Sequence, residues 1–288
     1  MTGGAILVAG AGGAVGFEIV RALRGRGCDV IATYRTSRDG LPARLAALGA
    51  RVEQWDLSDL DRGRALMTEA DTAIFTPILT VAEQAAALAP GKRLLFFSSN
   101  NVAIDDKAPI YARLREAEAR VRKAAPDAVI LRPTMIYGYP GDGNMSVLMG
   151  AMRRIPVTPI IGAGRALQQP VFYQDVADIA ASLIAKGSAH GIVTVAGPAP
   201  MRQAELYREV RAVTGAKTVI APIPAPIAGA AARLASLVRL PTPLSLAQIA
   251  RADQDKTPAG ETVILGDTAL AAGLRDLAAA LDGARGGA

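Results

Sequence analysis

The sequence predicts an α/β fold: a doubly wound parallel sheet with a smaller lobe interleaved into its C-terminal half. Three observations predict it. Short apolar runs alternate with Ala/Leu/Arg-rich helical stretches from Ala5 to Leu131, a glycine-rich turn joins the first run to the first helix, and beyond Arg132-Pro133 the rhythm breaks up. Buried strands alternating with helices call for a parallel sheet covered on both faces.

The elements follow in order. Ala5 to Ala9 reads as a buried strand and Val15 to Arg26 as a helix ended by Gly27. Asp29 to Tyr34 gives a second strand, Leu41 to Leu48 a helix, and Arg51 to Trp55 a third strand. Asp59 to Met67 is helical, Thr72 to Phe75 extended, Val81 to Leu88 helical and Arg93 to Phe97 extended and strongly apolar. A long helix with charged faces, Ile110 to Ala124, precedes the strand Val129 to Leu131. Past that point Pro, Gly and Asn become frequent, and the α/β pattern returns only in the helix Asp175 to Ala185 and the strand Gly191 to Ala196. The expected organisation is a parallel-sheet core over 1–140 and a smaller lobe over 141–288, interleaved with the last core elements at about 171–196. Met145 to Gln169 and Met201 to Arg251 form the lobe, and Gly283 to Ala288 reads as a frayed tail.

Composition narrows the function. The chain of 288 residues is 51% hydrophobic and 20% charged, enough to bury a sizeable core. With only 4% aromatic residues it lacks the stacking platforms of single-strand nucleic-acid binders. The net charge of +6 is scattered: Arg21, Arg24 and Arg26 share one helix, while Arg113, Arg115, Arg120 and Arg122 alternate with Glu116 and Glu118 on another. Such charges read as solvated faces, so nucleic acid is not the expected partner. A diffuse positive field favours an anionic cofactor or a sugar nucleotide. One cysteine, Cys28, and one histidine, His190, leave no material for a disulfide, a zinc site or a histidine-based triad, and no metal is expected. Met1 to Gly4 leads straight into the first strand, so no signal peptide is expected and the cytoplasm is the expected compartment. The most apolar stretch, Ala221 to Leu240, is broken by prolines and arginines; it reads as a packed helix of the lobe, with a membrane-surface role as the alternative.

The first strand runs into Ala9-Gly10-Ala11-Gly12-Gly13-Ala14-Val15-Gly16. Glycines at 10, 13 and 16 answer three needs: a tight turn, close approach of backbone N–H groups to a pyrophosphate, and close packing of helix on strand. The helix that opens at Val15, just after Ala14, adds free N–H donors and a favourable dipole. This is the Rossmann-type arrangement, with the glycines placed after a strand and before a helix. The second strand ends in Tyr34-Arg35-Thr36-Ser37-Arg38 and offers no carboxylate for ribose hydroxyls. Arg35, Thr36 and Arg38 suit a 2′-phosphate instead, which favours NADP(H) over NAD(H).

These residues resemble the short-chain dehydrogenase/reductase superfamily in its extended or atypical branch, which includes NAD(P)-dependent epimerases and dehydratases and NmrA-like relatives. The resemblance covers most of the chain. Asp56-Leu57 resembles the pair that contacts adenine, Thr76-Pro77 sits where the chain passes the cofactor, and Leu131 to Gly138, with Pro133, resembles the segment lying along the nicotinamide. Val171 to Ala177 is similar to a later family motif.

The resemblance implies a Ser/Thr, Tyr and Lys site in which hydride passes between the nicotinamide and a substrate carbon. Ser99 matches the serine that orients the substrate oxygen and Tyr111 the tyrosine that gives or takes a proton. Four residues on, one helical turn away, the family has lysine and this chain has Arg115. Arginine keeps the charge in a bulkier, planar form. Lys107, a full turn before Tyr111, does not replace the lysine. Two readings stand: an NADP(H)-dependent oxidoreductase or epimerase acting on a carbonyl or secondary alcohol, such as a sugar nucleotide, or an NAD(P)(H)-binding sensor or accessory subunit without turnover. Relatives commonly pair as homodimers through the helices flanking this tyrosine.

Overall fold

The computed structural model describes residues 4–187, 189–230 and 254–286. The chain divides into two units: Met1–Thr134, Tyr173–Val195 and Pro258–Gly266 in one, and Met135–Phe172, Ala196–Thr257 and Asp267–Ala288 in the other.

The first unit carries β1 (Ala5–Ala9), α1 (Ala14–Gly25), β2 (Val30–Tyr34), α2 (Leu41–Ala47), β3 (Arg51–Gln54), α3 (Leu60–Glu69) and β4 (Ala70–Ile78). It continues through α4 (Leu79–Ala82), a 3-10 turn (Glu83–Ala87), β5 (Arg93–Phe97), α5 (Asn101–Ile104), α6 (Pro109–Ala124) and β6 (Val129–Pro133). In the second unit lie β7 (Ile136–Tyr137), α7 (Met145–Met152), β8 (Val157–Ile161), β9 (Leu167–Gln168) and β10 (Val171–Phe172). The chain returns to the first with α8 (Tyr173–Lys186) and β11 (Gly191–Ala196). It then gives the second unit β12 (Met201–Arg202), α9 (Gln203–Thr214) and β13 (Val219–Ile223), the first β14 (Val263–Leu265), and the second α10 (Leu270–Gly286).

The first unit is built on one eight-stranded sheet in the order β14-β11-β6-β5-β4-β1-β2-β3. Every pairing from β3 across to β11 is parallel. The predicted α/β parallel sheet is thus present, and its strand order reverses between β1 and β4. Central strands buried on both faces need continuous apolar runs, which is how β1 and β5 are composed: residues 6–9 and 94–97 are all buried. Phe75 of β4 stacks on Phe96 of β5 with ring centroids 4.8 Å apart, and Trp55 meets Phe75 edge-on at 6.4 Å. α1 turns Ile19, Val20 and Leu23 inward and ends at a left-handed Gly27, whose N–H donates to the Arg24 carbonyl.

Three short strand pairs organise the second unit: β7 with β10 and β8 with β13, both parallel, and β9 with β12, antiparallel. α7, α9 and α10 pack against one another.

Several expectations need correction. The helix expected over Val81 to Leu88 is two short pieces, α4 and the 3-10 turn; they bury Leu79, Ala82, Ala85 and Ala86, of which only Leu79 is a large apolar side chain. The expected tail Gly283 to Ala288 is helical through Gly286, its helix anchored by buried Leu274 and Leu277. Ala221 to Ile223 belongs to strand β13, paired with Pro159 to Ile161; of the stretch to Leu240, residues 231–240 lie outside the described residues. No described helix is long and apolar enough to cross a membrane.

Candidate dinucleotide and catalytic site

In a parallel sheet all strands end on the same edge, and a crevice opens where the strand order reverses. A cavity of about 390 Å³ lies at that edge, lined by Gly10, Gly13, Arg35, Thr36, Arg38, Asp56, Leu57 and Pro77 among the expected residues. Ala9, Gly12, Thr33, Tyr34, Trp55 and Val81 complete the lining. It therefore collects side chains from the ends of β1, β2, β3 and β4.

The glycine turn has distinct jobs at each position. Gly10 has φ +83°, and a Cβ there would stand 2.4 Å from Thr76 Oγ1 and 2.8 Å from Pro77. A Cβ on Gly16 would come within 2.3 Å of the Gly10 carbonyl, so the packing of α1 on the turn requires glycine there. A Cβ on Gly13 would meet nothing nearer than 3.6 Å. Gly13 caps α1 without a side-chain bond, and the first helical hydrogen bond is Phe17 N–H to the Gly13 carbonyl. The amides of Ala14, Val15 and Gly16 are thus first-turn donors of the kind that bind anions, and no acid occupies that turn.

At the end of β2, Arg35, Thr36 and Arg38 are exposed. Among the described residues neither arginine enters an ion pair of the kind that occupies Arg51 or Arg62. Arg35 lies near enough to Asp56 for its charge to favour the carboxylate. The Asp56 carboxyl is held below its ordinary value mainly by Ser58, whose backbone N–H and hydroxyl donate to Oδ1 at 2.9 and 2.8 Å. Leu57 is half-buried against the core. Thr76 turns its hydroxyl back onto the Ala9 and Gly10 carbonyls, at 3.0 and 3.1 Å, and so ties β4 to the glycine turn. Pro133 is buried and its carbonyl accepts from Asn100 N–H at 3.0 Å.

Ser99 and Tyr111 are joined by Asn101, a residue to which sequence patterns assign no role. Asn101 Nδ2 donates to the Tyr111 hydroxyl at 2.7 Å, and its backbone N–H donates to Ser99 Oγ at 3.3 Å. The signal was present in Ser98-Ser99-Asn100-Asn101 after a strand, since such residues bond locally where a helix begins. Arg115 is directed to the end of α5: Nη1 donates to the carbonyls of Val102 and Asp105 at 3.0 and 2.9 Å, and Nη2 to that of Asp106 at 3.4 Å. Cations suit the carbonyl end of a helix.

Beneath this set lies a buried ion pair that the sequence did not reveal. Glu118 accepts from Arg132 Nε at 2.9 Å and from Arg132 Nη2, and Ser98 Oγ donates to the same carboxylate at 2.6 Å. Side-chain exposures of 5% for Glu118 and 12% for Arg132 put the pair inside the protein. Residues 111, 114 and 118 follow the helical spacing of one buried face, which could have marked Glu118 as inward. The described residues hold no cluster of metal-ligating side chains.

Comparison with known proteins places this geometry. The model of the NAD dependent epimerase/dehydratase family matches residues 6–77, from β1 nearly to the end of β4. No curated protein matches the chain in sequence. Among solved structures, a nucleoside-diphosphate-sugar epimerase from Pseudomonas aeruginosa is similar at TM-score 0.72 and 18% identity, over 97% of this chain and 98% of that one. The dTDP-glucose 4,6-dehydratase DesIV from Streptomyces venezuelae, solved with NAD bound, gives 0.68 and 16% over 98% of each chain. The UDP-glucose 4-epimerase of Thermotoga maritima, solved with UDP-glucose, gives 0.66 and 14% over 98% and 99%. At these identities the solved structures share the fold. The matched family and the structural neighbours are the epimerases and dehydratases that the sequence resembles.

Proposed function

We propose that this chain is an NADP(H)-dependent oxidoreductase or epimerase acting on a carbonyl or secondary alcohol. The observation that carries it is the cavity at the strand-order reversal, walled by Gly10 and Gly13 on one side and by Arg35, Thr36 and Arg38 on another. The residues fit the cofactor: the turn is so tight that a Cβ on Gly10 would clash with Thr76 and Pro77 and one on Gly16 with the Gly10 carbonyl, and the donors are backbone amides and guanidinium groups, which suit pyrophosphate and 2′-phosphate. Gly10, Gly13 and the Ala14–Gly16 amides would hold the pyrophosphate, Arg35, Thr36 and Arg38 the 2′-phosphate, Asp56 and Leu57 the adenine, and Thr76, Pro77 and Pro133 the course of the chain beside the cofactor. NADP(H) supplies or accepts a hydride when bound. The chain's own part is acid–base: Tyr111 gives or takes the proton of the substrate oxygen, and Ser99 orients that oxygen. Asn101 holds the phenol in place. Arg115 acts through the loop it braces, by keeping Val102 to Asp106 closed under α6.

The substrate class is read from the relatives, which act on sugar nucleotides such as UDP-glucose and dTDP-glucose, and the cytoplasm and a homodimer remain part of this reading. A second reading, a cofactor-binding sensor or accessory subunit, is favoured by one observation: the charge in the lysine position is spent on backbone carbonyls. NADPH consumption with ketones and aldehydes, together with product analysis of UDP- and dTDP-sugars incubated with the NADP-loaded chain (an epimerase returns its hydride and consumes no nucleotide net), separates the two. Turnover that Tyr111→Phe abolishes, with NADPH affinity retained, supports the enzyme; tight NADPH binding without turnover of any of these compounds supports the sensor.

A further inference from the structure

Ser99 and Asn101, which in the reading above orient the substrate oxygen and the Tyr111 phenol, flank one residue, Asn100. It is only 1% exposed. Its backbone N–H donates to the Pro133 carbonyl at the end of β6, at 3.0 Å. Its side chain reaches across 159 positions of sequence: Oδ1 accepts from the backbone N–H of Ala259 at 2.9 Å. Ala259 is held from its other side as well. Thr194 of β11, fully buried, donates its hydroxyl to the Ala259 carbonyl at 3.1 Å, and its N–H donates to the Thr262 carbonyl at 2.9 Å. Both backbone polar groups of one residue in the segment Pro258–Gly266 are thus gripped by buried side chains of the same unit. The segment also runs close to β11, since a Cβ on Gly260 would stand 3.0 Å from Thr194 Oγ1.

A buried amide or hydroxyl costs stability unless it is hydrogen-bonded, and an apolar residue in its place avoids that cost. At Asn100 the polar choice has a use in the turn it occupies. α5 has only four residues, Asn101–Ile104, and starts with no side-chain cap. One helical turn is a nucleus without propagation, so it does not hold its own direction. The start of α5 is set instead by bonds to distant segments, of which Asn100 makes two, to Pro133 and to Ala259. Asn101 follows directly, its side-chain amide 2.7 Å from the Tyr111 hydroxyl and its N–H 3.3 Å from Ser99 Oγ. Misplacing groups of this kind by about 1 Å costs up to roughly 100-fold in rate.

We propose that Asn100 is a positioning residue for the reaction: through its grip on the Ala259 N–H it fixes the turn that aims Ser99 and Asn101. The late segment Pro258–Gly266 thereby becomes part of what keeps Ser99 and Tyr111 in register. The inference rests on the reading in which these two residues handle the substrate oxygen.

The whole chain carries the test, as Asn100→Ala, Ala259→Pro and the double variant. Proline at 259 removes the N–H donor without altering any residue of the Ser99–Asn101 turn. In turnover of the compounds above, each single variant should lower kcat by about five- to tenfold and leave the NADPH dissociation constant unchanged. The double variant should lose no more than Asn100→Ala alone, because both changes break one bond. In protein carrying isotope-labelled tyrosine, with Tyr111 assigned from Tyr111→Phe, the Tyr111 ring signal should move in both single variants. Variants that lower the thermal midpoint but leave kcat and the Tyr111 signal in place would make the bond merely structural and overturn the proposal. So would additive losses in the double variant, or parallel losses of kcat and NADPH affinity. Where the wild type turns over none of the compounds, the redox reading fails by itself, and the Tyr111 signal decides whether Asn100 positions the phenol. Should Asn100→Ala fail to fold, Ala259→Pro carries both readouts.

Discussion

Asn101 ties Tyr111 to Ser99: its side-chain amide donates to the phenol oxygen at 2.7 Å while its backbone N–H donates to Ser99 Oγ at 3.3 Å. The two groups expected to handle the substrate oxygen are therefore positioned by one residue at the start of α5. Losing a single neutral hydrogen bond costs about 1 kcal/mol, roughly a five- to tenfold rate effect when felt in the transition state. Asn101→Ala is expected to lower kcat by that factor and leave the NADPH dissociation constant unchanged. Steady-state kinetics beside a fluorescence titration check it, and an equal loss in both quantities would place Asn101 in cofactor binding instead.

The glycines of the turn should separate folding from binding. Gly16→Ala forces a Cβ to 2.3 Å from the Gly10 carbonyl, an overpacking that costs about 1–3 kcal/mol and lowers the thermal midpoint. Gly13→Ala finds space in the fold but adds a methyl at the cavity lining. It is expected to keep stability within about 0.5 kcal/mol of wild type and to weaken NADPH. Paired melting curves and titrations read both effects.

The strand-and-helix rhythm made the first unit legible because a parallel central strand must be apolar throughout, and β1 and β5 could be little else. The cavity lining was legible for a related reason: it follows strand ends, so Gly10, Arg35 and Asp56 were found by position. What the sequence hid were contacts between distant segments. Glu118 looks like one more charge on a helix until β6 brings Arg132 against it, and Arg115 can be placed on the α5 carbonyls only once α5 exists. The second unit's two-residue strands, such as β7 and β10, are too short for any period to show.

The Glu118–Arg132 pair yields a stability prediction. Removing one partner of a buried pair leaves an uncompensated charge and costs about 3–5 kcal/mol, while replacing both with apolar residues costs far less. Glu118→Leu and Arg132→Leu are each expected to destabilise by more than the double variant Glu118→Leu/Arg132→Leu. Urea unfolding of the single and double variants forms the cycle; additive losses would show that the two residues are not coupled.

Asp56 gives a pH prediction. Its folded-state pKa lies below the ordinary 3.8 because Ser58 donates twice to the carboxylate. A depressed carboxyl stabilises the fold above its unfolded pKa, and that contribution disappears as pH falls through the folded value. Ser58→Ala removes the hydroxyl bond and keeps the backbone one, so it should move the Asp56 titration upward part of the way toward 3.8 in a carboxyl-detected NMR experiment. An unmoved titration would assign the shift to the Ser58 backbone N–H, which the alanine keeps.

Arg35→Ala tests cofactor choice. Loss of a charge-assisted contact to phosphate should weaken NADPH by about tenfold or more and leave NADH nearly unchanged. Parallel loss for both nucleotides would remove the 2′-phosphate assignment.

The central claim is that the cavity where β1 and β4 part receives a nicotinamide dinucleotide. Isothermal titration of the purified chain with NADPH and then NADH tests it most directly. Saturable heat at one nucleotide per chain, tighter for NADPH and lost in a Gly13→Val variant, is the predicted result. Flat titrations with both nucleotides, from folded protein, would contradict it.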